Sequence, residues 1–205
     1  MLKVIDANSI ISNTKKKLPN RVAFCVDTNI VIYFKDPFGE SLKLERMKRL
    51  NPIVERVISI LSSQGITRYT THSVVLEYFN HIRFNQYRKF FGVEAFNFIE
   101  YKKARKENPE FLEAWQRQLL IFNKLFKKTF KVIDSKIELD CLDTFDGTKL
   151  DYGDHLILQE IYKLPADQRC LMSDDKDLYY TEGDCILIST NQTTVKQAAS
   201  DGNLL

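Results

Sequence analysis

The chain has 205 residues, 44% hydrophobic and 28% charged, with a net charge of +3, which is enough apolar material for one packed domain and excludes global disorder. Nothing approaches the ~18 consecutive apolar residues of a membrane-spanning helix. The first twenty residues place Lys15, Lys16 and Lys17 late, the reverse of a secretory leader, so a cytoplasmic protein is expected.

In chain order, residues 1–20 read as an N-terminal extension. Arg21 to Asp27 (RVAFCVD) is a short apolar run ending on a carboxylate, the pattern of a buried central strand. Helical sequence follows from about Asn29. From Arg46 to Gln64, Leu50, Ile53, Val54, Val57, Ile58 and Leu61 recur at helical spacing, with Pro52 early in the segment and Gly65 as its stop. Ile66 to Thr71 predicts a second strand, and Thr71 or Ser73 can cap the helix after it.

Between Phe84 and Phe130 lie twelve of the chain's twenty-four aromatic residues. Pro109 divides this stretch into two helices. The second has Phe111, Trp115, Leu119, Phe122, Phe126 and Phe130 on one face, a pattern that predicts a helical insertion at about residues 81–148 packed on the core fold. Residues 135–149 are acidic and turn-prone. Asp151 to Lys163 predicts a helix, Arg169 to Ser173 a third strand and Cys185 to Ser189 a fourth; the tail 191–205 is polar. Strands alternating with helices imply an α/β fold, a central parallel sheet in three α/β/α layers.

Charge is segregated. His81 to Lys131 holds twelve Lys/Arg against five Asp/Glu, whereas Asp134 to Asp184 holds five against fourteen. A basic surface suits a polyanion and an acidic cluster suits metal ions. Lys102, Lys103, Arg105 and Lys106, with Lys124, Lys127 and Lys128, are candidates to line a groove for single-stranded nucleic acid beside an exposed aromatic ring, although aromatics at helical spacing usually pack into core. Cys25, Cys141, Cys170 and Cys185 form no C-x-x-C pair and read as buried thiols; no zinc-protease, P-loop or dinucleotide motif occurs.

Four acids fall at comparable places. Asp27 and Asp175 follow strands, Glu77 opens the helix after the second strand, and Asp154 opens the helix before the third. Ligands of open parallel sheets bind outside the strand carboxyl ends. Carboxylates gathered there repel until protons or a cation neutralise them, and Mg²⁺ or Mn²⁺ suits an all-oxygen site. Any one of these acids alone reads equally as a helix cap.

Val26-Asp27-Thr28-Asn29-Ile30-Val31 resembles the opening motif of the PIN-domain nucleases. Glu77 stands where that family carries its second acid, Asp151-Tyr152-Gly153-Asp154-His155 is similar to its third motif, and Leu171-Met172-Ser173-Asp174-Asp175-Lys176-Asp177 is similar to its last, with Ser in place of Thr. The resemblance covers about residues 21–80 and 149–189. It implies a metal-dependent ribonuclease acting on single-stranded or structured RNA, with Asp27, Glu77, Asp154 and Asp175 as metal ligands and Asp177 as a further one. Thr28, Asn29 and Ser173 would be supporting residues, and Asp151 could replace or join Asp154. It also implies two further partners, an inhibitory antitoxin-like protein or a second copy of the chain. The alternative function is a catalytically inactive PIN-like module that binds RNA or protein. A haloacid-dehalogenase-like phosphatase would want a second Asp where Asn29 stands.

Overall fold

Three tetrapeptides, AFCV, CLMS and ILIS, are buried at every position, and they form the middle of the sheet. The computed structural model describes residues 1–15, 18–34, 45–133 and 150–205. The expected acidic segment 135–149 and Cys141 lie outside these residues. In chain order the elements are β1 (Lys3–Asp6), α1 (Ala7–Ser12), β2 (Ala23–Val26), α2 (Thr28–Phe34), α3 (Glu45–Ser63), β3 (Thr67–Thr70) and α4 (His72–Phe91). They are followed by α5 (Phe98–Glu107), α6 (Pro109–Thr129), β4 (Lys131–Val132), α7 (Tyr152–Tyr162), β5 (Cys170–Ser173), β6 (Ile186–Ser189) and α8 (Gln192–Ser200).

One six-stranded sheet runs in the order β1-β6-β5-β2-β3-β4 with every pairing parallel. Strands buried on both faces need helices on both sides, so the architecture is α/β and compatible with three layers. From β2 the chain builds outward through β3 to β4. It then returns to lay β5 against the other side of β2, with Cys25 opposite Leu171 and Val26 opposite Met172. The direction of winding therefore reverses between β2 and β5. The crevice at such a reversal, beyond the strand carboxyl ends, is where open parallel sheets receive ligands.

Two segments set apart by the sequence reading belong to the sheet or pack on it. Lys3–Asp6 of the expected N-terminal extension pairs with β6 in full register. Its outer edge is covered by the chain end: Val4 N donates to Asn203 O at 2.9 Å and Leu205 N to Val4 O at 2.8 Å, which shields an edge strand from further pairing. The polar tail folds into α8, which buries Thr194, Val195 and Ala198. The polar tail reads in sequence as either a short helix or a disordered segment, and the structure has the helix; edge pairing such as that of β1 carries little periodic signal.

Helix α3 buries Val54, Val57, Ile58 and Leu61, as its spacing predicts, but Pro52 lies inside the helix rather than at its start. Thr71 caps α4, its hydroxyl accepting from Val74 N at 3.1 Å. Helix α4 then runs unbroken past residue 81 to Phe91 and stops at Gly92, whose φ of 64° is the left-handed conformation that glycine adopts without strain. The aromatic-rich region thus begins as a continuation of α4 rather than as a separate unit. Pro109 opens α6, with Asn108 capping it. The aromatics divide. Trp115, Phe126 and Phe130 join the main core, and Tyr87, Tyr101 and Phe111 form a small core of their own at the outer end. No helix among the described residues is long and apolar enough to cross a membrane.

Candidate active site

Asp27 is the residue after β2 and is 3% exposed. Its backbone N donates to Met172 O at 3.0 Å, which ties the end of β2 to β5. Its carboxylate is held from three sides: Oδ2 accepts from Ser173 Oγ at 2.6 Å and from Asn29 Nδ2 at 3.1 Å, and Oδ1 accepts from Thr28 N at 2.5 Å. The Thr28 hydroxyl donates to Glu77 Oε2. The expected supporting trio therefore spans the site, with Ser173 and Asn29 gripping one acid and Thr28 joining the carboxylate of the first acid to that of the second.

Counting from Ser173 selects Asp175 rather than Asp174, and the two have different surroundings. Asp174 is buried and committed elsewhere, accepting from Tyr33 Oη at 3.1 Å and Thr190 Oγ1 at 3.0 Å. It fastens β5 to α2 and to the end of β6. Asp175 turns the other way, its backbone N donating to Ser173 Oγ at 3.0 Å, and its charge acts on both Asp27 and Asp154. Asp177 is exposed; its backbone N donates to Asp175 Oδ1 at 2.8 Å, so it orients Asp175 through the main chain. Asp151 is the N-cap of α7, accepting from Asp154 N at 2.9 Å, and its carboxylate acts on Glu77 and Asp154.

The electrostatics of the cluster are those of acids without a counter-charge. Burial pushes Asp154 up to about 8, with Asp27, Asp151, Asp175 and Glu77 adding to the shift. Burial likewise raises Asp27 to about 7; hydrogen bonds from Ser173 and the Thr28 amide oppose this, and Glu77 and Asp175 reinforce it. Glu77 is raised too, by burial first and by Asp151, against the Thr28 hydroxyl. Among the described residues no lysine or arginine contributes to any of these shifts.

The donor chemistry, carboxylate oxygens with hydroxyls behind them, fits a hard divalent cation. Gly153 gives a second sign of fit. A Cβ there would collide with the Glu77 carboxylate and come within 3.2 Å of Asp151 Oδ1, so the glycine is what lets the acids of α4 and α7 approach. Among the described residues, however, no three His, Cys, Asp or Glu side chains already converge on one point as a metal-binding group; Asp27 and Glu77 rest on hydroxyls instead.

One functional residue was missed. Glu160, 1% exposed on α7, accepts from His72 N at 3.0 Å and Ser73 N at 3.1 Å, the first amides of α4. It locks the helix carrying Asp154 to the helix carrying Glu77. Its signal was an acid set among the apolar residues of HLILQEIY. His155, next to Asp154, is buried.

The basic candidates are dispersed. Lys102 lies over Phe98 at 4.4 Å and Arg105 near Tyr101 at 5.5 Å. Lys103 lines a groove of about 400 Å³ with Tyr87, Phe91, Glu100 and Glu107, and Lys106, Lys124, Lys127 and Lys128 are exposed. Cys25, Cys170 and Cys185 are free and buried, as expected.

Raised carboxyls have a consequence for stability. Unfolded Asp titrates near ~4, so between about pH 4 and the folded values of about 7 for Asp27 and about 8 for Asp154 the folded chain binds more protons than the unfolded one. Their contribution to stability is complete below that window and is lost as pH rises through it. In chelator the melting temperature should fall by several degrees between pH 5 and pH 8.5; a flat or rising profile would contradict the buried, unpaired state of these acids.

Compared with models of known protein families and with curated proteins, the chain matches none.

Proposed function

We propose that this chain is a divalent-metal-dependent ribonuclease of the PIN-domain type, hydrolysing RNA phosphodiester bonds at the acidic crevice between β2 and β5. The observation that carries the reading is that Asp27, Glu77, Asp154 and Asp175 come from four separate segments yet act on one another at the reversal of the sheet, with Asp27 and Asp154 raised to about 7 and about 8. Carboxylates kept together against their own repulsion are a common mark of functional sites. The fold is then a PIN-like three-layer α/β/α domain whose outer half of α4, with α5 and α6, is its helical elaboration.

Asp27, Glu77, Asp154 and Asp175 would hold Mg²⁺ or Mn²⁺, with Asp151 within reach as a further oxygen donor. A bound ion of this kind neutralises the carboxylates, lowers the pKa of a water and stabilises charge on the phosphoryl oxygens. The chain's own part is preparation. Ser173 and Asn29 fix the rotamer of Asp27, Thr28 fixes Glu77, and the Asp177 amide fixes Asp175. Asp27 and Asp154 release their protons as the site loads, so cleavage should rise between pH 6 and pH 8. Exposed lysines of α5 and α6 attract the phosphate backbone.

Gly153→Ala should displace the Glu77 carboxylate. Misplacing a positioned group by ~1 Å costs roughly 100-fold, so kcat/KM should fall by about that factor while the fold persists. Unchanged kcat/KM would remove Glu77 from the reaction.

A second reading, a PIN-like module that binds RNA or protein without cleaving, is favoured by the hydroxyl-bonded arrangement of Asp27 and Glu77. Hydrolysis of a labelled single-stranded RNA in Mn²⁺, Mg²⁺ or chelator separates the two. Cleavage in either metal and none in chelator supports the nuclease. RNA binding with no cleavage in any condition supports the module.

A further inference from the structure

Beyond the acidic crevice, the outer end of α4 and the start of α5 carry a cluster of rings and cations. The Arg83 guanidinium carbon lies 5.0 Å from the Phe84 ring centre, 5.5 Å from Phe98 and 5.7 Å from both Phe96 and Tyr101. Its Nε is buried and has no hydrogen-bond partner among the described residues. Phe98 is 47% exposed and Phe84 37%, and Lys102 sits over Phe98. Two phenyl rings thus remain partly in water, stiffened by tilted contacts with Phe96, with Arg83 over both and Lys102 over Phe98.

The phase of α4 connects this cluster to the acids. Glu77, Asn80, Phe84 and Arg88 recur on one face at steps of three and four residues. Seven residues at a rise of ~1.5 Å put Phe84 roughly 10 Å along the helix from Glu77. One extended strand can touch both.

We propose that Phe84 and Phe98, with Arg83 and Lys102, form a base-stacking platform for unpaired nucleotides of a single-stranded nucleic acid. Bases take the ring surface that the cations and Phe96 leave in water, and the cations take the flanking phosphates. A duplex offers no free base faces, so the platform discriminates against it. A protein partner could cover the rings, but the local charge favours a polyanion: from Arg83 to Lys106 there are seven Lys/Arg against two Asp/Glu. The platform itself does not depend on the nuclease reading; only the direction of the strand, towards Glu77, rests on it.

The test is fluorescence anisotropy of the full chain with a labelled single-stranded oligoribonucleotide and with its duplex, at low salt in chelator. Phe84→Ala and Phe98→Ala should each weaken single-strand binding by about 5- to 100-fold, the range of ~1–3 kcal/mol per stacked base. Phe98→Tyr should keep it, and duplex affinity should not move. Lys102→Gln should flatten the salt dependence by about 0.7 in logarithmic slope. Unchanged single-strand affinity in both alanine variants, at parental melting temperature, overturns the platform, as do equal losses for single strand and duplex or no single-strand binding by the parent chain. Metal-dependent cleavage is scored separately. Ring variants that lose binding while no form cleaves keep the platform and remove the nuclease; intact cleavage with unmoved binding does the reverse.

Discussion

Asp154→Asn should abolish metal-dependent cleavage and yet leave a protein that melts higher than its parent at pH 8. Asp154 feels Asp27, Asp151, Asp175 and Glu77 at once, and burial withdraws the water that would screen them. At pH 8 Asp154, raised to about 8, carries about half a charge, and an amide of the same size removes it from this cluster, so the others relax. In a chain of this length about 1 kcal/mol moves the melting temperature by ~2–4 °C, and a rise of that order is expected. Removing partners that merely orient a metal ligand costs ~10–100-fold in metal affinity or activity, so removing a ligand itself should cost more than about 100-fold. Stability gained where activity is lost is the sign of a strained functional site. A variant melting lower than its parent at pH 8, or cleaving at the parental rate, would show that Asp154 serves structure alone.

Glu160→Ala should do the opposite, lowering both stability and activity. Two amides at the start of α4, His72 N and Ser73 N, would lose their buried acceptor. Helix N-termini have no internal partner for these groups, and a hydrogen bond to a charged acceptor is worth ~1.5–3 kcal/mol. Together with the vacated volume, a loss of about 3 kcal/mol is expected, or roughly 6–12 °C in melting temperature. Because Glu160 joins the helix of Asp154 to that of Glu77, kcat should fall more than KM rises. Glu160→Gln, which keeps one acceptor oxygen and the volume, should recover part of both. A melting temperature within 2 °C of the parent for Glu160→Ala would mean that the lock contributes little.

What could be read from the chain divides along a physical line. The strands β2, β5 and β6 were legible because burial on both faces forces continuous apolar runs, and the acids that follow β2 and β5 were legible because those runs end there. Strand β1 was not, because KVID at a sheet edge has only two buried residues, Val4 and Ile5, between polar ends and is held by partners almost two hundred residues away. The meeting of Asp154 with Glu77 was expected only through resemblance; the physical condition for it, the missing side chain at Gly153, has no signal in spacing. The choice of Asp175 over Asp174 rested on a count from Ser173 alone. The fold gives them different neighbours, Tyr33 and Thr190 for one, and the Ser173 hydroxyl with the charges of Asp27 and Asp154 for the other. The end of α4 carries its own signal, since the first helix breaker after residue 81 is Gly92, where the helix stops.

That these carboxylates are held together to bind a divalent cation is tested by a calorimetric titration of Mn²⁺ into the full chain at pH 7.5. Saturable binding accompanied by proton release is expected, because Asp154, raised to about 8, is mostly protonated before the ion arrives and Asp27, raised to about 7, is partly so, and the binding should be lost in Asp27→Asn. No saturable heat in the parent chain, or equal binding by Asp27→Asn, would contradict it.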